Sequence, residues 1–311
     1  MQYPLISEYV QAIRDAKDNL DKLSYLEPVL DIHGDPLHSS GAFAVVFKMK
    51  DGITGKMYAL KCFTEEQKGR KDAYDKITEE LAHVDSTYII SVSYFEKELF
   101  VDSTCTSETE FPVLLMEWIE GMTMEAYIKN NFDKQNKMKW LTYRFCKMSG
   151  WLHSQQFAHG DIKPDNIMVK KNGSLVLIDY DGMYVPSMKG LKSPTLGSRD
   201  YSHPLRTPSD FNETIDDFSL TSISLSLKLI SLDADLYTQY GSSDGMLLRK
   251  SDYHNLSNSK ILAIIHEYIT DQEVCTLYGN FLQAYAQKDL ALHSFRNFII
   301  SRPYFLKYAI S

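Results

Sequence analysis

The sequence predicts an α+β fold of two lobes: a small N-terminal lobe built on an antiparallel sheet, and a mostly helical C-terminal lobe. Short β-rich runs separated by a glycine turn fill residues 37–63, and further strand-like runs occupy 88–95 and 112–118. Beyond Gly121, apolar residues recur at helical spacing. Because short β-rich runs bounded by turns are typical of strands and recurrence at three and four residues is typical of helices, the class of structure changes along the chain.

These patterns divide the chain into an N-terminal helical extension (1–28), a sheet lobe (29–118) and a helical lobe (119–311). Apolar residues from Ile6 to Leu23 follow helical spacing, which predicts one amphipathic helix in the extension. A charged segment around Lys71 to Val84 is a further expected helix, within the sheet lobe.

Four long helices are predicted in the helical lobe, at Trp140–Gln155, Ile215–Ser231, Lys260–Ile269 and Glu273–Ala286. We expect Tyr237 to Asp252 to be an irregular connection. For the tail from Phe295, packing on the helical lobe and exposure to a partner both remain open.

Charge and composition argue against several classes of function. The net charge is −8 and no basic run exceeds Lys170-Lys171, so neither nucleic acid nor an anionic membrane is an expected partner. The four cysteines lack the spacing of a zinc site. The most apolar stretch, 220–232, is interrupted by Lys228, which favours a buried helix over a membrane span. With no signal-peptide pattern at the start, we expect a cytoplasmic protein; nothing in the sequence indicates an oligomeric state.

Two segments concentrate residues suited to phosphate and metal chemistry. Residues 159–166 read HGDIKPDN, and residues 177–182 read LIDYDG. They resemble the catalytic loop and the magnesium loop of the protein kinase family at the family's usual separation. The resemblance extends from about Leu37 to Ser231, includes features of a group of bacterial eukaryotic-like serine/threonine kinase homologues, and implies a two-lobed protein-kinase-like fold.

The resemblance also implies roles for four of these residues. Asp161 would be the catalytic base and Lys163 would neutralise the transferred phosphoryl group, while Asn166 and Asp179 would hold magnesium. Phosphoryl transfer needs a carboxylate to orient the attacking hydroxyl, oxygen ligands for the metal and a cation near the γ-phosphate, and these residue types meet those needs. The implied cofactors are ATP and Mg²⁺, and the implied partner is a protein substrate.

The upstream half of an ATP site is present in altered form. Lys61 resembles the strand lysine that holds the α- and β-phosphates. The glycine-rich loop would begin at Ser39 and keeps only its middle glycine, Gly41, since Ser39 and Ala44 stand where the other glycines are expected. For the acidic partner of Lys61, counting forward favours Glu80, with Glu79 and Asp75 as alternatives, whereas counting back places Ile77 there.

The same resemblance implies that seven residues would surround the adenine of ATP. Met116 would be the gatekeeper, and the backbone of Glu117 and Ile119 would hydrogen-bond the base. The apolar walls, typical of a nucleotide pocket, would come from Val46, Ala59, Met168 and Ile178.

Residues 197–204 resemble the end of a kinase activation segment, in which Ser198 would bridge Asp161 and Lys163. Asp216 would cap the backbone of the catalytic loop. Gly160 replaces the family's arginine, which normally binds an activation-segment phosphate, so we expect that phosphorylation of Ser187, Ser193 or Thr195 is not needed for activity.

Three functions fit the sequence. The leading interpretation is an ATP- and Mg²⁺-dependent protein kinase acting on serine or threonine hydroxyls. The depleted glycine loop, Asp181 in place of a glycine and the ambiguous partner of Lys61 leave open a pseudokinase that binds nucleotide or acts as an interaction scaffold. The triplet His159-Gly160-Asp161 is also similar to that of small-molecule kinases of the aminoglycoside and choline kinase type.

Overall fold

The computed structural model describes residues 2–41, 43–241, 246–288 and 298–303. The chain forms two compact units, the first made of residues 1–85 and 90–119 and the second of residues 86–89 and 120–311. The first is built on an antiparallel sheet, and the second is mostly helical. The predicted α+β fold of two lobes is therefore confirmed.

Strands of the first unit form one antiparallel sheet in the order β1-β3-β4-β6-β5, with β2 paired to β3. They are β1 (Leu26–Pro28), β2 (His38–Ser40), β3 (Ala44–Asp51), β4 (Met57–Phe63), β5 (Val92–Phe100) and β6 (Glu110–Glu117). The strand expected at 88–95 begins only at Val92. Residues 86–89 instead belong to the second unit, where the Leu177 amide donates to the Tyr88 carbonyl at 2.7 Å.

The N-terminal segment forms two helices, α1 (Ile6–Arg14) and α2 (Ala16–Asn19). The expectation of a single helix from Ile6 to Leu23 is therefore wrong. The break lies at Asp15, whose φ of −108° and ψ of 43° leave the helical region. Aspartate favours such non-helical positions at helix ends. After α2, Leu20 pairs as an isolated β-bridge with Leu99 of β5.

Both helices contribute to the apolar core of the first unit. Tyr9 and Ile13 of α1 are fully buried and share a cluster with Phe47 of β3 and Phe111 of β6. The Tyr9 hydroxyl donates to the carbonyl of Phe63, at the end of β4, at 2.7 Å. Burying apolar side chains is the main stabilising contribution to a fold, so this segment is part of the sheet's own core.

Helix α3 (Arg70–Leu81) agrees with the helix expected near 71–84. Arg70, Tyr74 and Ile77 are buried. The Arg70 guanidinium lies 3.9 Å from the ring centroid of Phe63 and donates to the Glu65 carbonyl at 2.9 Å. A cation on an aromatic face stabilises by roughly 0.5–2 kcal/mol, so Arg70 fixes the start of α3 beside β4.

The second unit is organised around α6 (Asp217–Leu232), which is buried along nearly its whole length although it carries serine and threonine side chains as well as apolar ones. The four predicted long helices are confirmed within about five residues at each end. The helices other than α6 are α4 (Met124–Asn131), α5 (Gln135–His153), α7 (Asp235–Tyr240), α8 (Lys250–His254), α9 (Lys260–Tyr268) and α10 (Gln272–Gln287). Strands β7 (Gly121–Thr123), β8 (Ile167–Lys170) and β9 (Leu175–Leu177) form a three-stranded antiparallel sheet.

The expectation of an irregular connection from Tyr237 to Asp252 is wrong, because α7 and α8 occupy most of the described part of this range. Both helices are shorter than two turns, so their apolar spacing gives little signal. In α8 the Asp252 carboxylate accepts from the Arg249 amide at 3.0 Å and closes the first turn.

The tail expected from Phe295 lies partly outside the described residues. Its described part packs on the second unit: Phe298 is buried, and the Ser301 amide donates to the Glu273 carboxylate at 2.6 Å. Among the described residues, no helix combines the length and the apolar character that crossing a membrane requires.

Candidate active site

The segment 159–166 is anchored at its start by Asp216, which lies just before α6. Its carboxylate accepts hydrogen bonds from the amides of His159 at 2.5 Å and of Gly160 at 2.9 Å. Burial raises the pKa of the Asp216 carboxyl, and the nearby imidazole of His159, the two backbone donors and Arg206 oppose that shift. The expectation that Asp216 caps this backbone is confirmed.

His159 links the two sequence segments through its ring. One nitrogen, Nε2, lies 2.9 Å from the Ile178 carbonyl, and Nδ1 lies 3.4 Å from the Asp161 amide. Both contacts suit the tautomer with its proton on Nε2, since a carbonyl oxygen accepts and an amide N–H donates. The ring is fully buried and packs edge to face on Tyr180. This positioning role gave no signal in the sequence beyond the motif itself.

Asp161 receives three donors. The Asn166 side-chain nitrogen lies 3.1 Å and the Lys163 ammonium 3.4 Å from Oδ2, while the Ser198 amide donates to Oδ1 at 2.7 Å. The Asp161 side chain keeps 19% of its surface exposed. The carboxylate is therefore held in one orientation and is still reachable from solvent.

Asn166 and Asp179 are brought near each other by the backbone. The Ile178 amide donates to the Asn166 carbonyl at 3.0 Å, so the residue before Asp179 is paired with Asn166. Asp179 has a φ of 69° and a ψ of 78°, a conformation that few residues other than glycine adopt. Such an outlier marks a position where the surrounding structure holds a side chain in a fixed direction.

The segment after these loops approaches Asp161 through backbone atoms. Ser198 was expected to bridge Asp161 and Lys163; its contact to Asp161 is made by the backbone amide. The preceding Gly197 has a φ of 70°, and a Cβ atom there would lie 2.6 Å from the Ser202 hydroxyl. Glycine is therefore the residue that allows the chain to come this close.

Arg206 is a site residue that the sequence interpretation missed. Its guanidinium donates through Nη1 to the Gly160 carbonyl at 2.8 Å and through Nη2 to the Ser193 hydroxyl and the Thr195 carbonyl, both at 3.3 Å. The available signal was an arginine two residues after Pro204, in a chain that lacks the arginine expected at position 160.

Lys61 lies in β4 at the centre of the sheet of the first unit. Its register partners are Val46 on β3 and Leu114 on β6. The lysine is 5% exposed, and its ammonium lies 5.6 Å from the ring centroid of Phe63. A buried ammonium on a central strand is a rigidly placed charge.

Four other predicted nucleotide contacts lie on strands of the same sheet. Ser39 on β2 is opposite Val46, and Ala59 on β4 is opposite Met116 on β6. The Gly41 amide donates to the Ala44 carbonyl at 2.8 Å and closes the turn between β2 and β3, of which Ala42 lies outside the described residues. The sheet thus brings the predicted loop, wall and gatekeeper positions onto neighbouring strands.

The predicted hinge contacts occupy the end of β6 and the residues after it. Glu117 is the last residue of β6 and is exposed, while Ile119 is buried. In the second unit, Met168 lies on β8 and Ile178 directly follows β9. Their contacts with adenine stay predictions.

Glu80 lies near the end of α3 and is half-buried, whereas Ile77 belongs to the buried face of that helix. The alternatives Glu79 and Asp75 are exposed. Which of these residues pairs with Lys61 stays a prediction.

Metal ligands in this chain would come from the Asn166 and Asp179 oxygens. Among the described residues, no group of three or more histidine, cysteine, aspartate or glutamate side chains is arranged to hold a metal ion. One carboxylate and one amide oxygen are a set suited to Mg²⁺, which keeps water and phosphate oxygens as its other ligands.

Comparison with known proteins gives a consistent result. Residues 39–233 match the model of the protein kinase domain. The chain is 30% identical over 156 residues to the serine/threonine-protein kinase CBK1 of Pneumocystis carinii, covering 48% of this chain and 28% of that protein. It is 24% identical over 187 residues to the probable serine/threonine protein kinase IREH1 of Arabidopsis thaliana, covering 57% of this chain and 13% of that protein. The chain therefore spans a minor part of the length of these curated relatives.

Proposed function

The chain belongs to the protein kinase family, and on that premise we propose that it transfers the γ-phosphate of ATP, with Mg²⁺, to serine or threonine hydroxyls of a protein substrate. The observation that carries the proposal is the set of three donors around the Asp161 carboxylate. Serine and threonine are the proposed acceptors because Lys163 resembles the lysine of serine/threonine kinases and because the relatives bear that name.

Asp161 would orient the substrate hydroxyl and accept its proton. The donors from Asn166, Lys163 and Ser198 fix the carboxylate, and fixed geometry supplies much of the rate in this chemistry. Lys163 would place its ammonium at the transferred group while staying within 3.4 Å of Asp161. A positive charge fixed at that point stabilises negative charge developing on the phosphoryl oxygens.

Asn166 and Asp179 fit a magnesium ion by the chemistry of their oxygens. The Asn166 side-chain nitrogen donates to Asp161, which turns its amide oxygen to the opposite side as a ligand for a hard cation. When bound, Mg²⁺ would neutralise part of the phosphate charge. In the first unit, Lys61 would bind the α- and β-phosphates.

The proposed location is the cytoplasm, in keeping with the isolated cysteines. The protein substrate would be recognised near the segment 197–204, which resembles the substrate-docking segment of the family. No nucleic acid or membrane partner is proposed.

The test is phosphate transfer by the purified chain with Mg²⁺ and labelled ATP, using a mixture of protein acceptors. Asp161→Asn should lower transfer by about 10²–10⁴-fold, the usual contribution of a positioned base, while ATP with Mg²⁺ still raises the melting temperature. Asp165→Asn is the matched control, since Asp165 is exposed in the same turn. Equal transfer by the wild-type and Asp161→Asn proteins would refute the role of Asp161.

A further inference from the structure

Two departures from the family pattern meet at a single contact. Gly160 stands where the family has arginine, and Gly182 stands one residue later than the expected glycine. In the structure Gly160 has a φ of 82°, and a Cβ atom there would lie 1.9 Å from the Gly182 carbonyl oxygen. Position 160 therefore has no room for a side chain of any kind, and an arginine is excluded there by the backbone of 182.

Arg206 reaches the same backbone from another part of the chain. Its Nη1 donates to the Gly160 carbonyl, and its Nη2 donates to Ser193 and Thr195. One guanidinium thus joins the catalytic segment to residues 193–195. A planar fork of donors is the group best suited to hold two backbone segments at once.

The acceptors of Arg206 in the described residues are neutral, and its charge is balanced from farther away. Burial lowers the pKa of the guanidinium, and the carboxylates of Asp216, Asp161 and Asp210 oppose that shift. The guanidinium stays charged at any physiological pH. The two Nη atoms therefore link the segments through a hydroxyl and two carbonyls, without a phosphate, while Nε is buried without a hydrogen-bond partner among the described residues.

Residues held by Arg206 continue directly to the contact with Asp161. The Ser193 hydroxyl donates to the Thr195 carbonyl at 2.6 Å, and the Thr195 hydroxyl accepts from the Gly197 amide at 3.1 Å. The next amide, of Ser198, donates to Asp161 at 2.7 Å. Hydrogen bonds, joined by the backbone from Gly197 to Ser198, thus connect Arg206 with the carboxylate of Asp161.

We propose that Arg206 is a positioning residue that holds residues 193–198 against Asp161 and so keeps the catalytic carboxylate oriented without phosphorylation of this segment. The proposal rests on the proposed kinase function. It assigns to Arg206 a task that no residue at position 160 is able to perform in this backbone.

The experiment compares Arg206→Ala, Arg206→Lys and the wild-type chain by steady-state kinetics and by hydrogen exchange. Arg206→Ala should lower kcat at least 30-fold, change the KM for ATP less than threefold, and speed exchange of the Ser198 amide at least tenfold. Methylguanidinium in the buffer should restore part of the kcat of Arg206→Ala and part of the protection of its Ser198 amide from exchange. Arg206→Lys keeps the positive charge but loses the paired guanidinium donors. Its kcat and its Ser198 exchange rate should lie between those of Arg206→Ala and the wild type.

Arg199→Gln is the matched control for the exchange measurement, because Arg199 is an exposed arginine of the same segment. Its Ser198 amide should exchange at the wild-type rate. Phosphatase-treated wild-type protein, shown by mass spectrometry to carry no phosphate, should keep its kcat within twofold. Loss of that activity would overturn the proposal, as would folded Arg206 variants whose Ser198 amide exchanges at the wild-type rate.

The two proposals fail in different ways. If the wild-type chain transfers no phosphate, the kinase function is refuted, and hydrogen exchange still decides whether Arg206 holds the segment. If transfer occurs and Arg206→Lys and Arg206→Ala exchange the Ser198 amide like the wild type, the kinase function stands and the role of Arg206 is refuted.

Discussion

Gly160 packs directly on the backbone of Gly182, with a would-be Cβ atom only 1.9 Å from the carbonyl oxygen. Gly160→Ala should therefore destabilise the chain by about 2–5 kcal/mol, because a positive φ costs roughly 1–2 kcal/mol and overpacking adds a further 1–3 kcal/mol. The measurement is the free energy of unfolding in urea.

Gly190→Ala is the control for that prediction. Gly190 has a φ of 87° and nothing within 4 Å of a would-be Cβ atom, so it isolates the cost of the backbone angle. Equal losses of stability in the two variants would show that the contact with Gly182 carries no cost.

Asp216→Asn should weaken both the fold and the activity. An asparagine offers one acceptor oxygen, and its NH₂ group would face a backbone donor, leaving one of the His159 and Gly160 amides unpaired. A buried unpaired donor costs about 1–3 kcal/mol. We expect a loss of that size in the free energy of unfolding and at least a tenfold lower kcat, measured where the variant is folded. Asp235→Asn, at an exposed aspartate of α7, should change neither quantity; an Asp216→Asn protein of wild-type kcat would contradict the anchoring role.

Glu8 should make the first unit sensitive to acid. Its carboxylate accepts from the Thr104 and Leu5 amides and the Ser103 and Thr104 hydroxyls, which lowers its pKa to about 2. Because the folded pKa lies below the unfolded value, this stabilisation is present above about pH 4.5 and is lost as the pH falls towards 2.

Thermal unfolding of wild-type and Glu8→Gln proteins between pH 2 and pH 7 tests this. The wild type should melt higher above pH 4.5, and the difference should shrink as the pH falls. Glu108→Gln removes an exposed carboxylate from the loop between β5 and β6 that Glu8 contacts, and it controls for the change in net charge. A difference that stays constant with pH would rule out Glu8 as the cause.

Tyr9→Phe should destabilise the chain by about 1–2 kcal/mol, because it leaves the buried Phe63 carbonyl without its 2.7 Å donor. Since Phe63 ends the strand that carries Lys61, backbone amides of β4 should also exchange faster. Tyr25→Phe, at an exposed tyrosine, is the control in both measurements. An unchanged free energy of unfolding for Tyr9→Phe would show that α1 is not tied to β4 by this bond.

The geometry of the segment 159–166 was predictable because the residues with proposed catalytic roles are neighbours in the chain. Asp161, Lys163 and Asn166 fall within six residues, so a short turn is enough to bring their side chains together. Asp216 lies farther away, and the resemblance to the family identified it where spacing alone would not.

Arg206 was not predictable in the same way. Its contacts join positions 160, 193 and 195, and the lack of room for a side chain at position 160, set by the Gly182 carbonyl, is visible only in three dimensions. The break at Asp15 was not predictable from apolar spacing, because that spacing continues past it. The chain resumes as α2 and leaves the helix at Leu20, which pairs with Leu99.

The burial of α1 against the sheet has a consequence for synthesis of the protein. Tyr9 and Ile13 find their core partners on β3 and also on β6, whose strand ends at Glu117. Until roughly 100 further residues have been added, which takes about 5–20 s at ordinary translation rates, the apolar face of α1 has no completed surface to cover it. The nascent chain therefore exposes the apolar face of a helix-forming segment, and the first unit completes its core late in its own translation.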